Sequence, residues 1–157
     1  MKKINPFLWF DNNAEEAVSL YISAFPNAKI ASVSHYGEGS PMPEGTVMSI
    51  AFELNGQDFI ALNGGPMFTF SPAMSLFVNC ETQDEIDLLW EKLSEGGEEM
   101  QCGWLTDRFG VTWQIVPTIL PELLGDDDEE KAGRAMEAML QMKKLEINKL
   151  KKAFDGE

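Results

Sequence analysis

Basic side chains are scarce in this sequence. No lysine or arginine occurs from residue 30 to residue 91, and the 157 residues carry 26 acids against 12 bases, a formal net charge of −14. Nucleic-acid binding requires clustered cations that displace counterions, so this composition argues against it, and against docking on an anionic membrane surface. Long apolar runs are missing too: none reaches the ~18 residues of a membrane span, and no signal-peptide pattern is present. A cytoplasmic protein is expected. Cysteine is limited to Cys80 and Cys102, outside any CxxC or Cys/His cluster, which fits a reducing compartment. Cys80 ends an apolar strand and is expected to be a buried small hydrophobe, whereas Cys102, before Gly103 and Trp104, stands nearer a pocket. No base beside either thiol can be named from the sequence, so a catalytic cysteine has no support.

Apolar residues are plentiful at 44%. They suffice for one domain, or for two small modules sharing a core.

The most informative run is residues 103–117, GWLTDRFGVTWQIVP. It predicts a hairpin in which 104–106 enter, Asp107-Arg108-Phe109-Gly110 turn, and 111–116 leave, with Gly110 at a left-handed position and Pro117 as terminator. Alternation sets Val111, Trp113 and Ile115 on one face and Thr112, Gln114 and Val116 on the other. Gln114 thus presents an uncharged amide to the side Trp113 avoids.

Earlier in the chain, residues 4–10 (INPFLWF) predict a strand. Asp11-Asn12-Asn13 then offers N-cap chemistry for a helix striped by Ala14, Ala17, Val18, Tyr21 and Phe25, and Pro26 stops it. Residues 29–36 form a strand, with Ile30, Ser32 and Ser34 opposed to Ala31, Val33 and His35. In residues 46–54, Met48, Ile50, Phe52 and Leu54 alternate with Val47, Ser49, Ala51 and Glu53. Asn55-Gly56 turns the chain into a returning strand over 57–63. A second apolar strand at 73–80 leads to a capping box, Thr82 to Glu85, and to a helix striped by Ile86, Leu89, Trp90 and Leu93 that Gly96-Gly97 closes. The two halves overlay: Leu8-Trp9-Phe10-Asp11 matches Leu76-Phe77-Val78-Asn79, and the helix stripes follow at the same offsets. Residues 118–157 change character. A short turn of helix at 118–124 precedes an acid-led helix with a Met136, Met139, Leu140 stripe, and a further stripe of Ile147, Leu150 and Phe154 follows. Packing on its own domain and contact with a second subunit both remain open for this tail.

The repeat, the NNAEEAVSLY helix start, FIALNGGP and CGWLTDRFGVTWQIVP together resemble the vicinal-oxygen-chelate superfamily (glyoxalase, bleomycin-resistance protein and extradiol dioxygenase fold). Within it the chain is similar to the PhnB-like, demethylubiquinone methyltransferase-like group. The resemblance covers residues 4–117, and the tail is similar to an extension some members carry. It implies an α+β fold of two tandem β-α-β-β-β modules, 4–66 and 73–117, whose curved mixed sheets enclose a cleft, with a helical extension at 118–157. It also implies a homodimer, since such folds often complete their clefts between subunits.

In metalloenzymes of the superfamily, His, Glu or Gln side chains from both modules hold one divalent cation. Transferred to this sequence, the first-strand ligand falls near Ile4, Asn5 and Pro6, the fourth-strand ligand at Ala61 or Asn63, and the next near Met74 or Ser75. Only the last, usually Glu, has a counterpart, Gln114; the single histidine, His35, lies on a different strand. Neither a metal site of the usual kind nor a cofactor is therefore expected. The methyltransferase label finds no doubly wound domain with a glycine-rich loop to support it.

The resemblance and strand positions point to a small-molecule site lined by Trp9, Asn63, Ser75, Trp104 and Gln114, since aromatic walls with a few amides and hydroxyls suit an organic ligand. Any general base would come from His35, Glu53 or Asp107, although Asp107 also suits its turn. Catalysis, ligand sequestration without turnover, and a protein-docking role for the acidic surface and tail all stay open at this point.

Overall fold

The computed structural model describes residues 1–157. They form two compact units, Met1–Phe70 and Ser71–Glu157.

In the first unit the chain runs β1 (Phe7–Phe10), α1 (Ala14–Ala24), β2 (Ala28–His35), β3 (Val47–Leu54) and β4 (Gln57–Asn63). The strands lie in the order β1-β4-β3-β2, with β1 parallel to β4 and the other pairs antiparallel. The α1 stripe behaves as its spacing requires: Ala14, Ala17, Val18 and Tyr21 are all fully buried. Phe25 is already extended, at φ −115° and ψ 137°, because the ring of Pro26 excludes helical backbone from the residue before it. In β3 the apolar set Ile50, Phe52 and Leu54 is buried, and Phe52 stacks on Phe59 of β4 with ring centroids 5.2 Å apart. Asn55 (φ 45°) and Gly56 (φ 83°) make the two-residue left-handed turn that matches strand twist. The edge strand departs from simple alternation. Register shifts after Ile30 and after Ser34 are β-bulges, so Ile30 and Val33 oppose Phe52 and Ile50, on one face rather than two.

The second unit repeats the topology. β5 (Ser75–Cys80), α2 (Gln83–Ser94), β6 (Glu98–Glu99), β7 (Trp104–Thr106) and β8 (Thr112–Pro117) give the order β5-β8-β7-β6, again with the first strand parallel to the last. The fold is thus α+β, two β-α-β-β-β repeats with one four-stranded mixed sheet each, as the sequence overlay implied. Thr82 caps α2 by accepting from Glu85 N–H at 3.2 Å, and the Glu85 carboxylate accepts from Glu81 N–H at 3.0 Å. After α2, Gly97 passes so close to β7 that a Cβ there would stand 2.1 Å from the Thr106 carbonyl oxygen. Beneath α2 lie Leu105, Trp113 and Ile115, each at most 1% exposed.

Three further helices, α3 (Ile119–Leu124), α4 (Glu129–Leu140) and α5 (Ile147–Asp155), complete the second unit. Asp128 caps α4, accepting from Glu130 and Lys131 N–H at 3.2 Å each. Their interior is one cluster of Leu120, Leu123, Ala135, Met142, Leu145 and Leu150 joined to Val116 of β8. The tail therefore packs on its own unit. The expected α4 stripe holds only in part: Met139 packs against this cluster, whereas Met136 and Leu140 are 41% and 54% exposed, and the fully buried residue of α4 is Ala135. No helix is long and apolar enough to cross a membrane.

Candidate functional site

Paired residues on neighbouring strands share a face, so strand register decides which side chains meet. In the second unit Ser75 and Phe77 of β5 pair with Thr112 and Gln114 of β8, and these pair with Thr106 and Trp104 of β7. Two rows result on the face opposite α2: Phe77–Gln114–Trp104, and Ser75–Thr112–Thr106. The first sets an amide between two aromatic side chains. The second is a line of hydroxyls, in which Thr106 Oγ1 and Thr112 Oγ1 are 3.4 Å apart. The rows are cross-linked, because Gln114 Nε2 donates to Ser75 Oγ at 2.9 Å. That bond fixes the amide plane and leaves Gln114 Oε1 without a protein partner. Phe77 is 51% exposed, while Ser75, Trp104, Thr106 and Gln114 are half-buried. Every polar group on these two rows is neutral.

The turn that delivers β8 is held by a carboxylate. Asp107 is buried; Oδ1 accepts from Phe109 N–H at 2.9 Å and Val111 N–H at 3.0 Å, and Oδ2 accepts from Trp113 Nε1 at 2.9 Å. Gly110 (φ 92°) completes the turn. Trp113 is thereby locked toward α2, which directs Gln114 to the opposite side.

The strand entering this site is set from the tail. Cys102 and Gly103 both take left-handed backbone, φ 61° and 83°. Their N–H groups donate to the carbonyls of Met142 and Lys143 at 2.8 Å each, and Gly103 O accepts from Ile115 N–H at 2.8 Å.

Of the five sequence-expected site residues, Ser75, Trp104 and Gln114 come together on this face. The other two belong to the first unit. Trp9 of β1 pairs with Leu62; its Nε1 donates to Gly65 O at 2.9 Å, and its ring meets Phe68 edge-on at 5.0 Å. Gly64 has no alternative there, since a Cβ would stand 2.5 Å from the Trp9 ring. Asn63 pairs with Phe10, so it points to the α1 side, away from Trp9. Its Oδ1 accepts from Ala14 N–H at 2.9 Å, and its Nδ2 donates to Glu15 Oε1 at 2.7 Å and Val47 O at 3.0 Å. The helix cap expected from Asp11-Asn12-Asn13 is thus supplied by Asn63, and Asn13 makes no side-chain cap bond.

The three candidate bases stand elsewhere. His35 is exposed on the edge strand opposite Val47; Glu53 pairs with Lys29 at 3.4 Å; Asp107 is committed to its turn. Burial, with Glu85 adding to it, pushes the Cys80 thiol up to about 12, so it stays protonated and inert. Phe77, Thr106 and Thr112 join the face without having been singled out, although period-two alternation along 75–79, 104–106 and 112–116 places them there.

A groove of about 660 Å³ lies in the same unit, between Trp90, Glu99 and residues 138–149. It shares no residue with the two rows. Its cations are largely balanced: Lys144 pairs with Asp87 and Lys149 with Glu146, both at 2.8 Å. The Lys144 ammonium, with Gln83, holds the Asp87 carboxyl below the usual carboxylate range.

Comparison with known proteins agrees with this architecture. A family model described as 3-demethylubiquinone-9 3-methyltransferase matches residues 2–116. A putative 3-demethylubiquinone-9 3-methyltransferase, a PhnB protein from Bacillus cereus, is 42% identical; the alignment covers 74% of this chain and 100% of that one, with a TM-score of 0.69. Protein PA1353 from Pseudomonas aeruginosa shares the fold at 24% identity and a TM-score of 0.62, over 74% of this chain and 98% of its own. Comparison with curated proteins gives no match. With its paired β-α-β-β-β topology, as the vicinal-oxygen-chelate resemblance implied, and its match over residues 2–116, the chain belongs to the PhnB-like family described as 3-demethylubiquinone-9 3-methyltransferase.

Proposed function

We propose that this protein binds a small, flat organic molecule on the face of the β5-β8-β7 sheet opposite α2. One observation carries the reading: an oriented amide, Gln114, stands between Phe77 and Trp104, with Nε2 held by Ser75 and Oε1 unpartnered. Aromatic neighbours stack on a planar ligand, and a fixed acceptor selects one carrying a hydroxyl or N–H donor. The donor set supports binding without the superfamily's usual metal. The positions that correspond to its ligands hold Ile4, Asn5 and Pro6, then Ala61 or Asn63, of which Asn63 caps α1, then Met74 and Ser75, and last Gln114. Amide and hydroxyl oxygens alone are poor ligands for zinc, iron or nickel.

Sequestration without turnover is the second reading, favoured by the neutral character of both rows. Methyl transfer, the activity in the family's description, needs a sulfonium donor and a base, and neither His35, Glu53 nor Asp107 belongs to this face. A homodimer accompanies both readings, supported by the half-exposed Phe77 and the 65% exposed Met74; a monomeric mass at micromolar concentration would count against it.

The test uses 2-naphthol as a planar phenolic probe, with calorimetry and amide-resolved NMR. Binding should shift the Gln114 side-chain amide and the Trp104 indole, and Gln114→Leu should weaken it at least tenfold. Binding that shifts Trp90 instead, or that is indifferent to Gln114→Leu, would sink the reading. Adding S-adenosylmethionine and analysing products separates turnover from capture.

A further inference from the structure

We propose that the C-terminal extension is a strut that positions Trp104 for the ligand face, with Leu145 as its positioning residue. The functional meaning rests on the ligand-face reading above; the geometry does not.

Two successive amides, Cys102 and Gly103, donate to two successive carbonyls, Met142 and Lys143, at 2.8 Å each. Both donors have left-handed backbone, and Cys102 has a side chain that disfavours it. Such a conformation persists only where surrounding contacts over-determine it, and here the tail supplies them. Leu145 is fully buried, and its Cδ1 lies 2.9 Å from where a Cβ on Gly103 would stand, so the leucine seats directly on that glycine. Leu145 is itself held: Gln83 Nε2 donates to Leu145 O at 3.0 Å, and Gln83 Oε1 accepts from Ile147 N–H at 2.8 Å. From Gly103 the path to the face is one residue long. Gly103 O accepts from Ile115 N–H, and the next residue, Trp104, pairs with Gln114. The direction of the Trp104 side chain therefore depends on a backbone bend that residues 142–145 stabilise.

The family match ends at residue 116, whereas every strut residue from Met142 to Ile147 lies beyond it. The face lies inside the shared fold, and the device that fixes one of its walls is an addition to it.

The experiment uses full-length protein labelled with 5-fluorotryptophan, whose four resonances report Trp9, Trp90, Trp104 and Trp113 separately. Leu145→Ala should speed exchange at the Cys102 and Gly103 amides at least tenfold, shift or broaden the Trp104 resonance while leaving Trp9 in place, and weaken 2-naphthol at least fivefold. Leu145→Met, which keeps the volume, should restore all three. If Leu145→Ala also collapses the Trp113 resonance, the unit has unfolded, and Gln83→Ala, which cuts the ties at Leu145 and Ile147 without emptying the core, is read by the same criteria. An unchanged Trp104 resonance alongside faster exchange at Cys102 and Gly103 overturns the strut. If wild-type protein does not bind 2-naphthol, the ligand-face reading falls instead, and the strut still stands or falls on the Trp104 resonance.

Discussion

Asn63 caps α1 from 49 residues away, its Oδ1 accepting the Ala14 N–H at 2.9 Å while its Nδ2 serves Glu15 and Val47. The end of β4 and the start of α1 are thus joined by one buried amide. Truncating it removes the cap and leaves polar partners buried without a substitute. Asn63→Ala is expected to cost about 2–3 kcal/mol in urea unfolding. Asn13→Ala, at the position where the sequence suggests the cap, should change stability by less than about 0.5 kcal/mol. The reverse ranking would show that Asn63 does not carry the cap.

The Asp107 carboxylate accepts from Phe109 N–H, Val111 N–H and the Trp113 indole, groups of its own hairpin. Asp107→Asn keeps the shape but replaces an acceptor by a donor, so either a backbone N–H or the Trp113 indole loses its partner. The expected loss is about 2–3 kcal/mol, with a shifted indole proton for Trp113 in NMR spectra. An unmoved indole signal with unchanged stability would refute this account of the turn.

Gly64 lies under the Trp9 ring at a distance that no Cβ tolerates. Gly64→Ala should destabilise by about 1–3 kcal/mol through overpacking. Its backbone is not in the left-handed region, so the effect is steric and Trp9→Ala should abolish it. A double-mutant cycle tests this: Gly64→Ala made in the Trp9→Ala background should cost under about 0.5 kcal/mol.

Cys80 gives a pH dependence with a definite sign. Its thiol ionises near 9.0 when unfolded and at about 12 when folded, so above pH 9 the unfolded chain releases a proton the native one keeps. Stability should therefore fall with rising pH, by at most about 1.4 kcal/mol per unit from this group. Cys80→Ala should flatten that alkaline limb of the unfolding curve. In native protein at pH 8, iodoacetamide should leave Cys80 unmodified, and it should label it once the chain is unfolded in urea.

The sequence by itself determined the repeat, the element types and most faces. Period-two and helical stripes mark apolar sides wherever an element lies on its own core, so Ala14, Val18, Tyr21, Ile50, Phe52, Leu89 and Trp113 could be assigned to the interior directly. The Asn55-Gly56 and Asp107–Gly110 turns were equally legible, because left-handed backbone selects few residues. The tertiary structure alone decided which strands neighbour each other and in what register. That is why Asn63, on paper a neighbour of Trp9 in one pocket, turns to the opposite face and caps a helix, and why Phe77 joins Gln114. Bulges in β2 changed parity at Val33, and no local pattern announces an inserted residue. The bend at Cys102 was hidden for the same reason: its hydrogen-bond partners lie some forty residues downstream, and long-range backbone contacts leave no local trace in composition or spacing.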